Sequence, residues 1–594
     1  MIANENNLNG QGGSDGADGS DAANCSDDDN LSFSLDEDED YVALDEERLI
    51  QLKRNDPGLT SLGVVWDSDN GWGDSFVNSV DWVVEGNCIG KNTHLEKFYI
   101  ENFDAELHDE HAWDHFTAFC KGLASNRSIE RLRVFSSNLA YDEGAFSSLC
   151  LFIEHNSNLC RLEIGECDMD SECTRLLARA LSRRRNKTSL KEFILKGSDI
   201  SGMGDSVELI TALNGYCNLV KLSLNQKIGQ GGCTQLVNML QNPGSKLKTL
   251  GLCHNDMGGE SSTIFANALA KKTALKFLDL SYSSSMSTKL RAFSLCWQNP
   301  QSTLKRLDLI RSGIDDEGAT ALGNSLANQS TLRTLNIGWN KSITSLGWRE
   351  FASCLRNPNS SLEKLSIAGN NIDDEGAAAV ANALANNTVL KALNASDNGS
   401  AGAEWRSLSA CLQNPTSALE NLDLRQNNID ERAVIDFADA LAHNTSLNTL
   451  LIDDNPGLTT RSWAALSNTL CNKSSIERTY LSNHALRTVI PILSAIDLSS
   501  DLVALLHLNE NSNKTEVARQ KIMKHHFPHD GTNHTDIQVF IDMEMIVLPC
   551  AIAWIGRDDV GRSLLYHLLQ SAPSLFDFDS KAKARGSKRK LETV

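Results

Sequence analysis

The segment STLKRLDLIRSGIDDEGATALGNSLANQ (302–329) returns 58 residues later as SSLEKLSIAGNNIDDEGAAAVANALANN (360–387), with Ile-Asp-Asp-Glu-Gly-Ala unchanged. A chain that repeats at this interval does not close around one central core. Each unit has an apolar face that it cannot bury alone, so neighbouring units must stack to cover it. Within the long repeat lies a shorter one. Leu304-x-x-Leu307-x-Leu309 recurs as Leu332, Leu335 and Ile337, as Leu362, Leu365 and Ile367, and as Leu419, Leu422 and Leu424. Fifteen such starts run from a degenerate one at Leu59 to Ile476. From Leu190 onward they are spaced by 28 to 30 residues, while the first two intervals are 36 and 34.

The spacing of two between Leu307 and Leu309 predicts a short strand with one buried face. An asparagine often follows: Asn255, Asn340, Asn370, Asn398, Asn427, Asn455. Its amide can satisfy the backbone of the turn that it occupies. Asp315, Asp316 and Glu317 stand where a helix N-cap and first turn favour anions. Ala319, Leu322 and Leu326 then mark one apolar helical face. Alternate units also end differently. Gln241-Asn-Pro, Gln298-Asn-Pro, Arg356-Asn-Pro and Gln413-Asn-Pro alternate with Ala-Asn-rich endings at Ala327, Ala385 and Ala442, so two unit types of 28 and 29 residues make up the 58-residue echo.

With the leucine motif and this alternation, residues 59–484 resemble the ribonuclease-inhibitor-like class of leucine-rich repeat proteins. The expected fold is α/β: a right-handed leucine-rich repeat solenoid, or horseshoe, with a curved parallel sheet inside and helices outside, followed by an α-helical C-terminal cap. The expected segments are an acidic disordered arm (1–47), the repeat array (48–484), the helical cap (485–577) and a basic disordered tail (578–594).

Charge supports these boundaries. The formal net charge is −22; residues 1–47 hold fifteen Asp and Glu and no Lys or Arg. Such a segment buries too little to offset its ordering entropy and reads as a solubilising tail, or as a contact for basic partners. The acidic body argues against general nucleic-acid binding. The N-terminus has no apolar signal core, and the longest apolar run, Met545–Ile555, is well short of the roughly 20 residues of a spanning helix. The fifteen cysteines show no dense pairing pattern. We therefore expect a reducing compartment, nuclear and/or cytoplasmic. The Asn-x-Ser/Thr sequons at Asn328, Asn386 and Asn444 are then not expected to be glycosylated. The tail residues Lys581, Lys583, Arg585, Lys588, Arg589 and Lys590 look like a nuclear import signal. Asp501–Asn511, Lys514–Phe527, Thr535–Leu548 and Asp558–Gln570 read as the cap helices.

Motifs for chemistry are weak. Gly556-Arg-Asp-Asp-Val-Gly561-Arg562-Ser563 has phosphate-loop glycine spacing, but Arg562 replaces the lysine, and Asp558 and Asp559 would repel phosphate. His525, His526, His529 and His534 cluster without cysteine and fit no standard zinc spacing. Cys296, Cys354 and Cys411 recur at a helix core position, where cysteine acts as a small hydrophobe. We therefore expect no cofactor, no metal and no enzymatic activity.

The outward strand positions are more informative. Most are small or polar, such as Ser366, Ala368, Asn394 and Ser396. Three adjacent units differ: they contribute Phe277 and Tyr282, then Arg306, Ile310 and Arg311, then Trp339. Adjacent strands are about 4.8 Å apart, so Tyr282, Arg311 and Trp339 should lie side by side. Tyr, Arg and Trp are enriched in binding hot spots. The resemblance implies a non-enzymatic scaffold that binds a protein partner on its concave face. Alternatives are a small-GTPase regulator similar to the Ran GTPase-activating protein, and an immune-type recognition protein. For the tail, the expected outcome is that residues 578–594, fused to a fluorescent cargo too large to diffuse through nuclear pores, carry it into the nucleus. Cargo left in the cytosol would contradict the import reading.

Overall fold

The motif leucines are buried in every unit, and their burial organises the chain. In the computed structural model, Leu307, Leu335, Leu365, Leu393, Leu422 and Leu450 stand opposite one another in register across successive strands. Burying each stabilises the fold by about 1.5–3 kcal/mol. The structure describes residues 43–65, 81–101, 112–137, 139, 143–196, 207–225, 228–255, 259–271, 274–284, 286–297, 302–327, 331–399, 404–489 and 500–526.

Among these residues fourteen strands form one parallel sheet in sequence order. Six have five residues: β1 (Ser61–Val65), β2 (Lys97–Glu101), β3 (Arg131–Phe135), β4 (Arg161–Gly165), β5 (Glu192–Lys196) and β6 (Lys221–Asn225). Eight have three: β7 (Thr249–Gly251), β8 (Phe277–Asp279), β9 (Arg306–Asp308), β10 (Thr334–Asn336), β11 (Lys364–Ser366), β12 (Ala392–Asn394), β13 (Asn421–Asp423) and β14 (Thr449–Leu451). Parallel neighbours need a crossover. Helices supply it, and consecutive helices pack on one another to form the second layer. The expected curved solenoid is the observed fold.

The two unit types have different crossovers. One carries an unbroken helix: Asp316–Leu326, Asp374–Leu384, Glu431–Leu441. As the sequence predicts, an aspartate caps each. Asp315, Asp373 and Asp430 accept from the backbone N–H of Gly318, Gly376 and Ala433 at 3.1, 2.8 and 2.8 Å. In the two later units of the other type an α turn and a 3₁₀ turn are joined, as in Ser345–Phe351 followed by Ala352–Arg356, and Trp348 or Trp405 is buried completely, whereas the earlier ones keep single helices at Gly229–Gln241 and Met286–Trp297. The Asn-Pro endings also have a role. Asn414 Nδ2 donates to the Ala385 carbonyl of the preceding unit at 3.0 Å.

The turn after each strand is held by buried asparagines. Asn370 Nδ2 donates to its own Ile367 carbonyl at 2.8 Å and to Ile337 of the preceding unit at 3.1 Å, while the Asn370 N–H donates to Asn398 Oδ1 at 2.8 Å. Asn340, Asn398, Asn427 and Asn455 repeat the pattern. A second asparagine row, which the sequence reading did not find, precedes the strands. Asn126, Asn156, Asn387, Asn444 and Asn483 donate to carbonyls of the preceding unit and accept from their own turns. Asn444 is therefore a buried structural residue, although it lies in a sequon.

Both ends of the array differ from expectation. Ala43 bridges Gly63, and Asp45 caps the helix Glu46–Lys53, so residues 43–47 belong to the fold although the expected arm ran to 47. Residues 1–42 lie outside the described residues. At the other end, Ile476 does not start a repeat strand; Ile476–Tyr480 is a short helix, and the chain rejoins the sheet edge only where Thr488 bridges Thr449. The motif residue of that last unit is Leu486, which follows Asn483 as Leu447 follows Asn444. The first two cap helices are present, at Ser500–Asn509 and Lys514–His526. The expected helices at 535–548 and 558–570 lie outside the described residues.

The cap helices close the array with polar contacts as well as with Leu502, Leu505, Val517 and Ile522. Asn509 Nδ2 donates to the Leu486 carbonyl at 2.6 Å, extending the second asparagine row. Buried Lys521 donates to the carbonyls of Leu470 and Asn483 at 2.7 and 3.0 Å and lies 3.2 Å from His484 Nδ1. His484 Nε2 donates to the Tyr480 carbonyl, so Nδ1 is the acceptor of the lysine proton. Burial, then the adjacent Lys521 charge, pushes the His484 pKa down to about 4. The unfolded value is near 6.5. The stability from neutral His484 is thus complete above about 6.5 and is lost as pH falls toward 4. We predict that His484→Gln flattens the acid limb of stability against pH between 6.5 and 4, by up to about 3 kcal/mol. Identical acid limbs in the two proteins would contradict this.

Candidate protein-binding face

Beyond the last buried leucine of each strand from β7 to β14, the chain turns on a residue in the left-handed region. His254, Tyr282, Arg311, Trp339, Asp397, Gln426 and Asp454 have φ between 47° and 61°, and Gly369 takes the same place at 67°. The conformation follows from hydrogen bonding. It turns each N–H toward the next unit, so that Tyr282 donates to Ile310 at 2.7 Å, Arg311 to Gly338 at 3.0 Å and Trp339 to Ala368 at 2.7 Å. Residues with a Cβ pay roughly 1–2 kcal/mol to adopt it. One side chain per unit is thereby aligned along the C-terminal edge of the sheet.

In β7 to β10 these side chains form a continuous stack. The rings of His254 and Tyr282 are 4.6 Å apart and 16° from parallel. The Arg311 guanidinium carbon lies 5.9 Å from the Tyr282 ring centre and 4.9 Å from that of Trp339. Lys341 Nζ approaches the other end of Trp339 at 5.3 Å. A Cβ at Gly369 would fall 2.6 Å from the Trp339 ring, so the glycine gives the indole its bed. Cation–ring contacts of this kind contribute about 0.5–1 kcal/mol each at exposed sites.

The structure thus brings Tyr282, Arg311 and Trp339 side by side, as their register requires. His254 and Lys341 extend the stack and were missed in the sequence. The signal for His254 was available, since it immediately precedes Asn255 as Trp339 precedes Asn340. Phe277 and Arg306 form a second contact, with the guanidinium carbon 5.0 Å from the ring centre. Ile310 is half-buried, and its N–H donates to Ser281 Oγ at 3.1 Å. Alternation also predicts an outward Asp308, but that residue is buried beneath Arg306, whose Nη2 lies 2.9 Å from the carboxylate. Burial pushes the Asp308 pKa up to about 6 against the pull of the arginine. Asn394 is likewise buried.

The remaining candidates separate cleanly. Cys354 and Cys411 are buried core thiols whose pKa burial raises, that of Cys354 to about 12. The side chain of Cys296 lies outside the described residues, as do His529, His534, the 556–563 glycine segment and the basic run from Lys581 to Lys590. His526 is buried, with Nε2 2.7 Å from Thr479 Oγ1. Among the described residues, no group of three or more His, Cys, Asp or Glu could hold a metal ion, and no helix is long and apolar enough to cross a membrane.

Comparison with known proteins agrees with this architecture. The leucine-rich repeat family matches residues 301–323, 328–352 and 359–381. Pig ribonuclease inhibitor (Sus scrofa) is 26% identical over 405 residues, covering 67% of this chain and 82% of the inhibitor. The mouse (Mus musculus) NACHT, LRR and PYD domains-containing protein 14 is 26% identical over 302 residues, which is 50% of this chain and only 30% of that protein. Its human (Homo sapiens) counterpart is 22% identical, over 52% and 28%. A chain of the yeast Rad7–Elc1 complex overlaps 70% of this chain and 90% of its own at 16% identity, with a TM-score of 0.38, a likeness too weak to carry an argument. The repeat motif, the fourteen-stranded parallel sheet and these relatives together identify the chain as a leucine-rich repeat protein of the ribonuclease-inhibitor-like class.

Proposed function

We propose that this chain is a non-enzymatic interaction scaffold that holds a protein partner against the concave face of its sheet, with Tyr282, Arg311 and Trp339 at the centre of the contact. The observation that carries this reading is the stack itself. The left-handed position asks for glycine, and Gly369 fills it in the next unit. The other seven units of β7 to β14 carry a side chain there, and three successive ones place a tyrosine, an arginine and a tryptophan. Large side chains at a strained backbone position, two of them stiff aromatics, serve contact better than they serve the fold. Phe277, Arg306 and Ile310 widen the same area. Pig ribonuclease inhibitor, whose name describes an inhibitor of a protein, covers most of the array and supports a binding role. Neither a GTPase-regulating role nor an immune-type one draws support from a particular side chain of this face. The basic run from Lys581 to Lys590 supports nuclear entry within a nuclear and/or cytoplasmic location, which the cargo fusion tests.

A hot-spot truncation typically costs about 2 kcal/mol or more, near thirtyfold in affinity. Trp339→Ala in the full chain should lower retention of the partner from native cell extract by that order, with the unfolding midpoint little changed. Ser366→Ala and Ser396→Ala, farther along the same face, should do little. Equal small effects at all three positions would mean that the partner docks elsewhere.

A further inference from the structure

The opposite edge of the same four strands carries a row of four cations, three of which pair with no carboxylate among the described residues. The residue after the first leucine of each unit forms a ladder. The N–H of Lys276 donates to Lys248 at 2.8 Å, that of Lys305 to Lys276 at 2.7 Å, that of Arg333 to Lys305 at 2.8 Å and that of Glu363 to Arg333 at 2.8 Å. These residues are therefore spaced by one strand each, about 4.8 Å. Lys248, Lys276, Lys305 and Arg333 are all exposed, with Lys246 beside the first.

Farther along, the ladder balances its charges. Glu363 pairs with both Arg333 and Lys391, the latter at 2.9 Å. Among the described residues no carboxylate pairs with Lys248, Lys276 or Lys305. Like charges on directly adjacent ladder positions destabilise a sheet. Three adjacent uncompensated lysines in a chain of net charge −22 run against both local and global electrostatics. Screening over about 8 Å at physiological salt lets such a row act apart from the net charge.

We propose that Lys248, Lys276 and Lys305, with Arg333 at their end, receive an acidic segment of a protein partner that crosses β7 to β10. This names the chemistry of the partner and so rests on the reading of the sheet as a binding face. The row spans about 14 Å, which four or five extended residues cover. It ends at Glu363 beyond Arg333, while on the other side uncharged Val220 separates Lys248 from Lys191, and acid returns only farther on, at Glu130 and Glu96. A short acidic run matches these four cations, whereas a nucleic-acid backbone, which needs charge along a longer track, would meet Glu363 at one end and the uncharged Val220 rung at the other. Phe277 and Arg306 lie one residue along from Lys276 and Lys305, so the segment would continue onto the proposed contact.

The test uses the full chain and a fluorescein-labelled octaglutamate peptide, followed by anisotropy at low and physiological salt. Binding should weaken with salt. The Lys248→Ser/Lys276→Ser/Lys305→Ser variant should lose about tenfold in affinity. A charge-matched control on the helices, Lys91→Ser/Lys121→Ser/Lys271→Ser, should lose less than twofold. Thermal unfolding verifies that both variants are folded. Equal losses in the two triples, or no binding by the unaltered chain, would overturn the proposal. So would an oligonucleotide of equal charge that binds as tightly and is lost in the first triple. If Trp339→Ala releases the cellular partner while the lysine triple keeps it, the acidic-segment proposal falls and the binding face stands.

Discussion

The structure depends on satisfying the backbone of the turn that follows each strand. That turn is buried and cannot pair with a neighbouring strand in the ordinary way. The asparagine amide fills the gap: Asn340 Oδ1 accepts from Ser312 and Ile314 of the preceding unit at 2.8 and 3.1 Å, while its Nδ2 donates to Leu309 and Ile337. A buried polar group left without a partner costs about 1–3 kcal/mol, and one asparagine here satisfies four. The leucines supply the driving force for stacking, but they are not directional. The amides set the register and the turn.

The same constraint positions the candidate face. The left-handed residue always stands immediately before the ladder residue, so its side chain is presented by backbone hydrogen bonding and not by its own packing. The ladder changes where the large side chains occur. Tyr282 and Arg311 precede Ser283 and Ser312, whereas His254 and Trp339 precede Asn255 and Asn340. Ser312 Oγ still reaches the carbonyls of Leu280 and Ile310 at 3.1 Å. The turn is therefore kept with a smaller group beneath the stack.

Much of this was legible in the sequence because repetition averages over local ambiguity. The spacing of leucines yields the strands, Asp315 and Asp373 the caps, and the register of Tyr282, Arg311 and Trp339 their adjacency. Periodicity is silent on what it does not encode. A positive φ leaves no hydrophobic pattern, so His254 escaped the reading, and Lys341 lies two residues past the strand-end position in a turn that the leucine spacing does not describe. Asp308 alternates like an exposed residue, yet Arg306 folds over it. Ile476 keeps the repeat spacing, but the strand start belongs to Leu486, because the interval before the closing unit is longer. Residues 43–47 share the acidity of the arm, although Asp45 and Glu46 serve as the cap and first turn of a helix.

The ladder also explains how the array ends. Asn483 and Asn509 carry the second asparagine row past the last strand, and Lys521 satisfies the carbonyls of Leu470 and Asn483 that a further unit would otherwise cover. The most direct test of this account is hydrogen exchange on Asn340→Ala in the full chain, with denaturant unfolding in parallel. The account predicts accelerated exchange at the Ser312 and Ile314 amides, in the unit before the substitution, and a loss of about 3 kcal/mol in stability. Unchanged protection at those two amides would show that leucine packing alone holds the turns.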